Sequence, residues 1–198
     1  MHPSDESLVA AYAERGDEKA FRLLVERHQE RVYGYLLGMV RDADVANDLF
    51  QDTFVRVINA LNSRRGSYTQ QGRFLAWVVR IARNTALDHL RSRKRWVTLD
   101  GQSHVQADLI ESLQDELPIA DLQLLDAEQK RWIEACIDQL PPEQREVLLM
   151  RHDGELTFRE IAEITGCSIN TALGRMRYAL INLRRIMATS KKNALIDA

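Results

Sequence analysis

Arg80, Arg83, Asn84, Leu87, Arg91 and Lys94 fall at helical spacing along one stretch of the chain. Cationic side chains in such a row can follow a phosphate backbone. An asparagine amide among them can bond the edge of a base that has left its stack. Arg91, Arg93, Lys94 and Arg95 close the stretch as a basic cluster. A second set comprises Asn170, Thr171, Arg175, Arg177 and Tyr178, with Leu173 and Gly174 between them. Arginine pairs with guanine edges or phosphates and asparagine with adenine or phosphate, so small, polar and basic residues at the front of a helix suit a major-groove reader. A third set is acidic. Asp44, Asp48, Gln51, Asp52 and Val55 share one side of a helical pattern, with Phe54 near its edge. A carboxylate row broken by apolar side chains suits docking onto a basic protein helix.

Paired carboxylates also serve acid–base catalysis and metal binding, but only with a cleft and convergent partners. The sequence has no Gly-rich loop, and His2, His28, His89, His104 and His152 are scattered without ligand spacing. Cys136 and Cys167 are too few for a zinc site or a disulfide framework and read as small buried hydrophobes. No catalytic residue, metal or cofactor is expected.

The elements that must position these sets are helices. No period-two alternation is sustained, Pro is scarce, and apolar residues recur at three and four throughout. Helices are predicted over Leu8 to Ala13, Ala20 to Leu37, Asp44 to Leu61 and Phe74 to Arg93, with a Ser/Arg/Gly turn from Ser63 to Gly72. On the fourth, Phe74, Trp77, Val78, Ile81 and Thr85 form the apolar stripe, so the two aromatics pack rather than stack on bases. Thr98 to Asp121 has weak periodicity and reads as a linker. Helices resume over Leu122 to Leu140, and Pro141-Pro142-Glu143 ends one and starts the next. Thr157-Phe158-Arg159-Glu160 has the form of a capping box, Gly166 supplies a tight turn, and Ser168 or Asn170 caps a second helix that buries Ile169, Ala172, Met176, Leu180 and Leu183. That is the pattern of a helix-turn-helix, with an ordinary αα-hairpin bearing a solvated face as the other reading. The fold class is all-α: two small helical domains joined by an acidic linker. The expected boundaries are 1–95, 96–125 and 126–188, with 189–198 as a C-terminal tail.

Composition agrees with a folded chain. The 198 residues are 45% hydrophobic and 28% charged, which excludes collagen-like and wholly disordered classes. No apolar run approaches the ~18 residues of a membrane span. Met1 to Glu6 lack a basic n-region and an apolar h-region, so no secretory signal is expected and the expected compartment is the cytoplasm. The net charge of −2 hides segregation. Between Arg73 and Arg95 seven basic residues face Asp88 alone; from Trp96 to Gln129 there are eight acids and no Lys or Arg; from Thr171 onward six basic residues face Asp197 alone. Two basic segments flanking an acidic connector are not what random surface solvation tends to produce, and they are the first clue to partners.

Asp44-Val-Ala-Asn-Asp-Leu-Phe-Gln-Asp-Thr-Phe54, Phe74-Leu-Ala-Trp-Val-Val-Arg-Ile-Ala-Arg-Asn-Thr-Ala-Leu-Asp88, Leu140-Pro-Pro-Glu-Gln-Arg-Glu-Val-Leu-Leu149 and Glu160-Ile-Ala-Glu-Ile-Thr-Gly166 resemble, in order and spacing, the extracytoplasmic-function sigma factors of bacterial RNA polymerase. The resemblance implies a −10 domain and a −35 domain, with the linker threading polymerase channels in place of a third domain. It implies that Asp44, Asp48, Gln51, Asp52 and Phe54 meet the coiled coil of the largest catalytic polymerase subunit. It places Arg80, Arg83, Asn84 and the Arg91–Arg95 cluster on the melted −10 strand, and Asn170, Thr171, Arg175, Arg177 and Tyr178 on −35 duplex. The implied partners are core RNA polymerase, promoter DNA and, as in many relatives, an anti-sigma protein. The family often has a basic residue and a serine where this chain has Leu173 and Gly174, so its −35 base preference is not carried over. The main alternative is a stand-alone helix-turn-helix repressor, which leaves the acidic third helix and the basic fourth unexplained; an all-α enzyme is the other.

Overall fold

The computed structural model describes residues 3–63, 68, 72–94 and 127–196; Arg95, the linker 96–125 and most of the turn between Ser63 and Gly72 lie outside the described residues. Among the described residues there are eight helices and no strand: α1 (Asp5–Arg15), α2 (Glu18–Val40), α3 (Ala43–Asn62), α4 (Phe74–Lys94), α5 (Ala127–Asp138), α6 (Pro142–His152), α7 (Phe158–Thr165) and α8 (Ile169–Ile196). Helices α1–α4 form one compact unit and α5–α8 make the body of a second.

In the first unit each of the first three helices starts at a side-chain cap. Ser4 accepts from the Ser7 amide, Asp17 from those of Lys19 and Ala20, and Asp42 from those of Asp44 and Val45. Each cap occupies a donor that the helix leaves orphaned, and is worth about 1 kcal/mol. Helix α2 is the spine, for α1, α3 and α4 all pack against it and α3 also packs against α4. Its Leu24, Val32, Tyr35 and Leu36 are fully buried, as are Val57 of α3 and Val78 and Val79 of α4. Burying each such aliphatic side chain stabilises the unit by roughly 1.5–3 kcal/mol.

The second unit closes around Ile133, Val147, Leu148, Met150, Ile161, Ala172, Ala179 and Leu183. Its polar interior is paired: Asn182 donates to Gln144 Oε1 at 2.8 Å, and the Trp132 indole donates to Ser190 Oγ at 2.9 Å, tying α5 to α8. The capping box is present, Thr157 Oγ1 accepting from the Glu160 amide while Glu160 Oε2 accepts from the Thr157 amide. Gly166 then takes φ 70°, a left-handed turn that a Cβ would strain. Ser168, rather than Asn170, caps α8, its Oγ accepting from the Thr171 amide at 3.0 Å. Two expectations change. Ile169, expected in the core, is 42% exposed, because it occupies the first turn of α8 before the buried seam begins at Ala172. Helix α8 also runs on to Ile196, through most of the segment read as a tail. The expected start of the preceding helix at Leu122 lies outside the described residues, which resume in α5 at Ala127.

One buried ionisable group ties three helices together. His28 of α2 is 4% exposed. Its Nε2 lies 2.8 Å from Asp5 Oδ2 in the first turn of α1, and its ring sits 5.6 Å from that of Phe74 at the head of α4. The Arg27 guanidinium donates to the same Asp5 carboxylate and to the Pro3 carbonyl. Burial holds the His28 pKa below its usual 6.5; Asp5 pulls it back up, while Arg31 and Arg27 push it down. Because the folded state prefers neutral His28, this contribution to stability is complete above the unfolded value of 6.5 and is lost as pH falls below it. Thermal melts taken from pH 7.5 to about 5.5 should therefore show a falling midpoint. The His28→Gln variant should be flatter across that window, and a parent profile already flat there would contradict the linkage.

Candidate polymerase and nucleic-acid interfaces

Helix α4 presents the first candidate surface. Over its first two turns it is buried on most sides, with Phe74, Ala76, Trp77, Val78 and Val79 all in the core. Beyond them only one stripe emerges. Arg80, Asn84, Asp88 and Arg91 are exposed at i, i+4, i+8 and i+11, with Leu87 half-buried beside them. Arg83 is half-buried at the margin. Thr85 Oγ1, on the core side, satisfies itself on the Ile81 carbonyl at 3.0 Å. Arg91 is 3.5 Å from Asp88, but the two side chains are 74% and 60% exposed, so the pair adds little stability and leaves the guanidinium able to exchange partners. Arg93 and Lys94 belong to the last turn of α4, and Arg95 lies outside the described residues.

Helix α3 presents the second. Asp44, Asp48, Gln51 and Asp52 are all exposed. Val55 shares their side at 54% exposure. The result is a carboxylate row ending in a bare aliphatic side chain. Phe54 is a correction. It is 6% exposed, with its ring 4.8 Å from Phe50 and 6.4 Å from Phe21, so it fastens α3 to α2 instead of facing outward. The helical wheel puts residue 54 at the boundary of the two faces, and the large ring turns to the side where it loses most water. Phe50, expected on the inner face, is half-buried against Tyr33.

The third surface is on α8. Ala172, Met176, Ala179, Leu180 and Leu183 are buried, while Asn170 is exposed and Thr171, Leu173, Gly174, Arg175, Arg177 and Tyr178 are partly so. All five side chains expected to read DNA thus stand off the core. Ile181, 47% exposed, prolongs their face by one turn beyond Tyr178. Its spacing of three from Tyr178 carries that signal, but an apolar residue type conceals it. No group of three His, Cys, Asp or Glu that could hold a metal occurs among the described residues. No helix among the described residues is long and apolar enough to cross a membrane.

Comparison with known proteins gives the family of the chain. Sigma-70 region 2 matches residues 24–96, and Sigma-70 region 4 matches residues 130–178. The RNA polymerase sigma-H factor of Pseudomonas aeruginosa is 32% identical over 177 residues, 87% of this chain and 88% of its own. The ECF RNA polymerase sigma-E factor of Escherichia coli is 31% identical over 175 residues, again 87% and 88%. Among solved structures, CnrH in complex with the cytosolic domain of CnrY has a similar fold, with a TM-score of 0.66 at 22% identity over 94% of this chain and 99% of that one. The sigma factor RpoE of Bartonella quintana, in complex with the anti-sigma factor NepR, gives 0.62 at 21% identity over 86% and 98%. Both regions occur in order on one all-α chain that matches these relatives over most of its length. The protein therefore belongs to the extracytoplasmic-function sigma factors, proteins that are not enzymes but bind core RNA polymerase and direct it to promoters.

Proposed function

We propose that the three surfaces divide this work among named side chains. The exposed row Asp44, Asp48, Gln51 and Asp52, ending at Val55, docks the chain on a basic helix of core polymerase. The stripe Arg80, Asn84 and Arg91, with Arg83 and the basic residues 93–95, holds the melted −10 strand. Asn170, Thr171, Arg175, Arg177 and Tyr178 read −35 duplex. The observation that carries the proposal is the form of α4, buried on most sides at its head and bearing one polar stripe beyond, in which Arg80 and Arg91 stand with Asn84 and Asp88. The boundaries go with it: 1–95 for polymerase and −10 DNA, 96–125 as connector, and 126–188 for −35 DNA, carried on by the rest of α8. The connector lies in the stretch from Trp96 to Gln129, which has eight acids and no Lys or Arg and so suits a basic polymerase channel. A cytoplasmic location follows from the site of transcription. An anti-sigma partner belongs to the proposal because one of the solved relatives holds such a factor.

Asp48→Arg with Asp52→Arg should abolish co-purification with core polymerase. Inverted charge makes contacts costing several kcal/mol, whereas exposed sites of this kind alter stability by only about ±0.5 kcal/mol. Undiminished co-purification would remove this face from the interface.

Replacing Arg175 and Arg177 by Ala should weaken −35 binding by the holoenzyme. A guanine read bidentately costs about 1–3 kcal/mol per arginine and relaxes preference at that base pair. Phosphate contact alone lowers affinity alike on all sequences and flattens the salt slope. Parent affinity and parent slope together would leave α8 without a DNA role.

Asn84→Ala should slow promoter opening more than closed-complex formation, because holding a base out of the stack must offset a few kcal/mol of unpairing. The defect should shrink on a template already mismatched across the −10 segment. Arg91→Ala should weaken binding on both templates. Permanganate footprinting on duplex and pre-melted promoters separates the two, and an Asn84→Ala holoenzyme that opens duplex at the parent rate refutes strand capture by this residue.

A further inference from the structure

Gly174 is a glycine that the chain's own architecture does not require. Gly16, Gly72 and Gly166 each sit at positive φ, where a side chain is strained. Gly174 lies inside α8 and is not among the positive-φ residues. A Cβ built on it meets nothing within 4 Å. Alanine would therefore fit, and it would favour the helix, since glycine is among the poorest residues for a helix interior. A locally unfavourable residue with open space above it is what close approach of another molecule demands.

Its place on the helix says which molecule. At 100° per residue, Gly174 points away from the buried seam of Ala172, Met176, Ala179 and Leu183. Its surface neighbours at i−4, i−3, i+3 and i+4 are Asn170, Thr171, Arg177 and Tyr178. Bare backbone thus stands at the centre of the outward face, framed by hydrogen-bonding side chains on the turns before and after. We propose that Gly174 is the point where α8 stands closest to the floor of the major groove, admitting a base-pair edge against the helix backbone and so setting the −35 sequence preference. A methyl group there meets the base pair first and holds the helix off. The bonds from the framing side chains then lengthen beyond useful range. The inference rests on the reading of α8 as the −35 helix.

The test uses the full chain, free for melting and assembled with core polymerase for binding. The probe is promoter duplex with a randomised −35 segment, enriched by the parent holoenzyme. Gly174→Ala should raise the thermal midpoint by about 2–5 °C. It should also lower affinity for the enriched duplex about tenfold or more and shift the preferred sequence at one or two adjacent base pairs. Gly174→Ser should lower affinity in the same way. A midpoint that falls would give the glycine an internal role and overturn the proposal. Parent affinity at a raised midpoint would overturn it too, as would an equal loss on every sequence, which marks clearance of a phosphate and not of a base. Replacing Arg175 and Arg177 by Ala tests the underlying reading separately. If that variant also binds as the parent does, α8 is not the reader; if it weakens while Gly174→Ala does not, only the glycine's role is wrong.

Discussion

Phe74, Ala76, Trp77, Val78 and Val79 are all buried, and nearly consecutive residues of one helix reach that state only if other helices cover it on several sides. Helices α2 and α3 supply the cover, and much of the first unit follows from that demand. Helix α3 has to turn Ala46, Leu49, Thr53 and Val57 inward, which leaves its acidic row on the far side. Helix α2 has to run long enough to meet the other three, and its 23 residues are buried along one flank from Ala20 to Val40. The head of α4 is held rigidly, so the stripe on its second half projects from a fixed base. The backbone of such a base needs no ordering at the moment of binding, so only the side chains it carries lose freedom there.

The second unit solves the same problem with a turn instead of a sandwich. Helix α7 has only eight residues, too short to persist alone in water. Its capping box, its left-handed glycine and the Ser168 cap of the next helix remove three sources of fraying within twelve residues of chain, from 157 to 168. Buried Ile161 and Ala162 then hold it against α8. On the outward face of α8, over its first three turns, the polar and small residues collect.

How much of this was legible in the sequence depended on whether one residue type answers one physical demand. The capping box and turn of α7 were legible, because few residues can do what Thr157, Glu160 and Gly166 do, whereas the caps Ser4, Asp17 and Asp42 were not read. The polar stripe on α4 was legible because charge and period coincide. Phe54 was misplaced for a geometric reason: at the margin of a helical face periodicity is neutral, and only the neighbouring rings of Phe21 and Phe50 decide which way the side chain turns. Ile169 failed at a helix end, in the first turn of α8 before the buried seam begins at Ala172. Ile181 was assigned to neither face, since a single apolar residue on a helix carries no signal of exposure by type. The polymerase assignment of the acidic row came from resemblance, because charge pattern alone does not name a partner.

A chain of net charge −2 is an odd candidate for a DNA-binding protein, and the resolution lies in distance. In physiological salt, fields between exposed charges fade over about 8–10 Å, so a phosphate meets the local set of side chains and not the total. On α4 that set is Arg80 and Arg91 with Asp88, and the exposed Arg91–Asp88 pair is too weak to keep a guanidinium from a better acceptor. On the face of α8 it is Arg175 and Arg177 among uncharged neighbours. Each patch is basic at the range where contacts form, while the molecule as a whole gains nothing from approaching DNA at random. Near-neutral net charge suppresses non-specific association with nucleic acid. Local patches without a global field make DNA binding depend on something else bringing the surfaces to the duplex together. If the acidic row on α3 engages that something, as proposed above, polymerase docking is the condition for promoter contact.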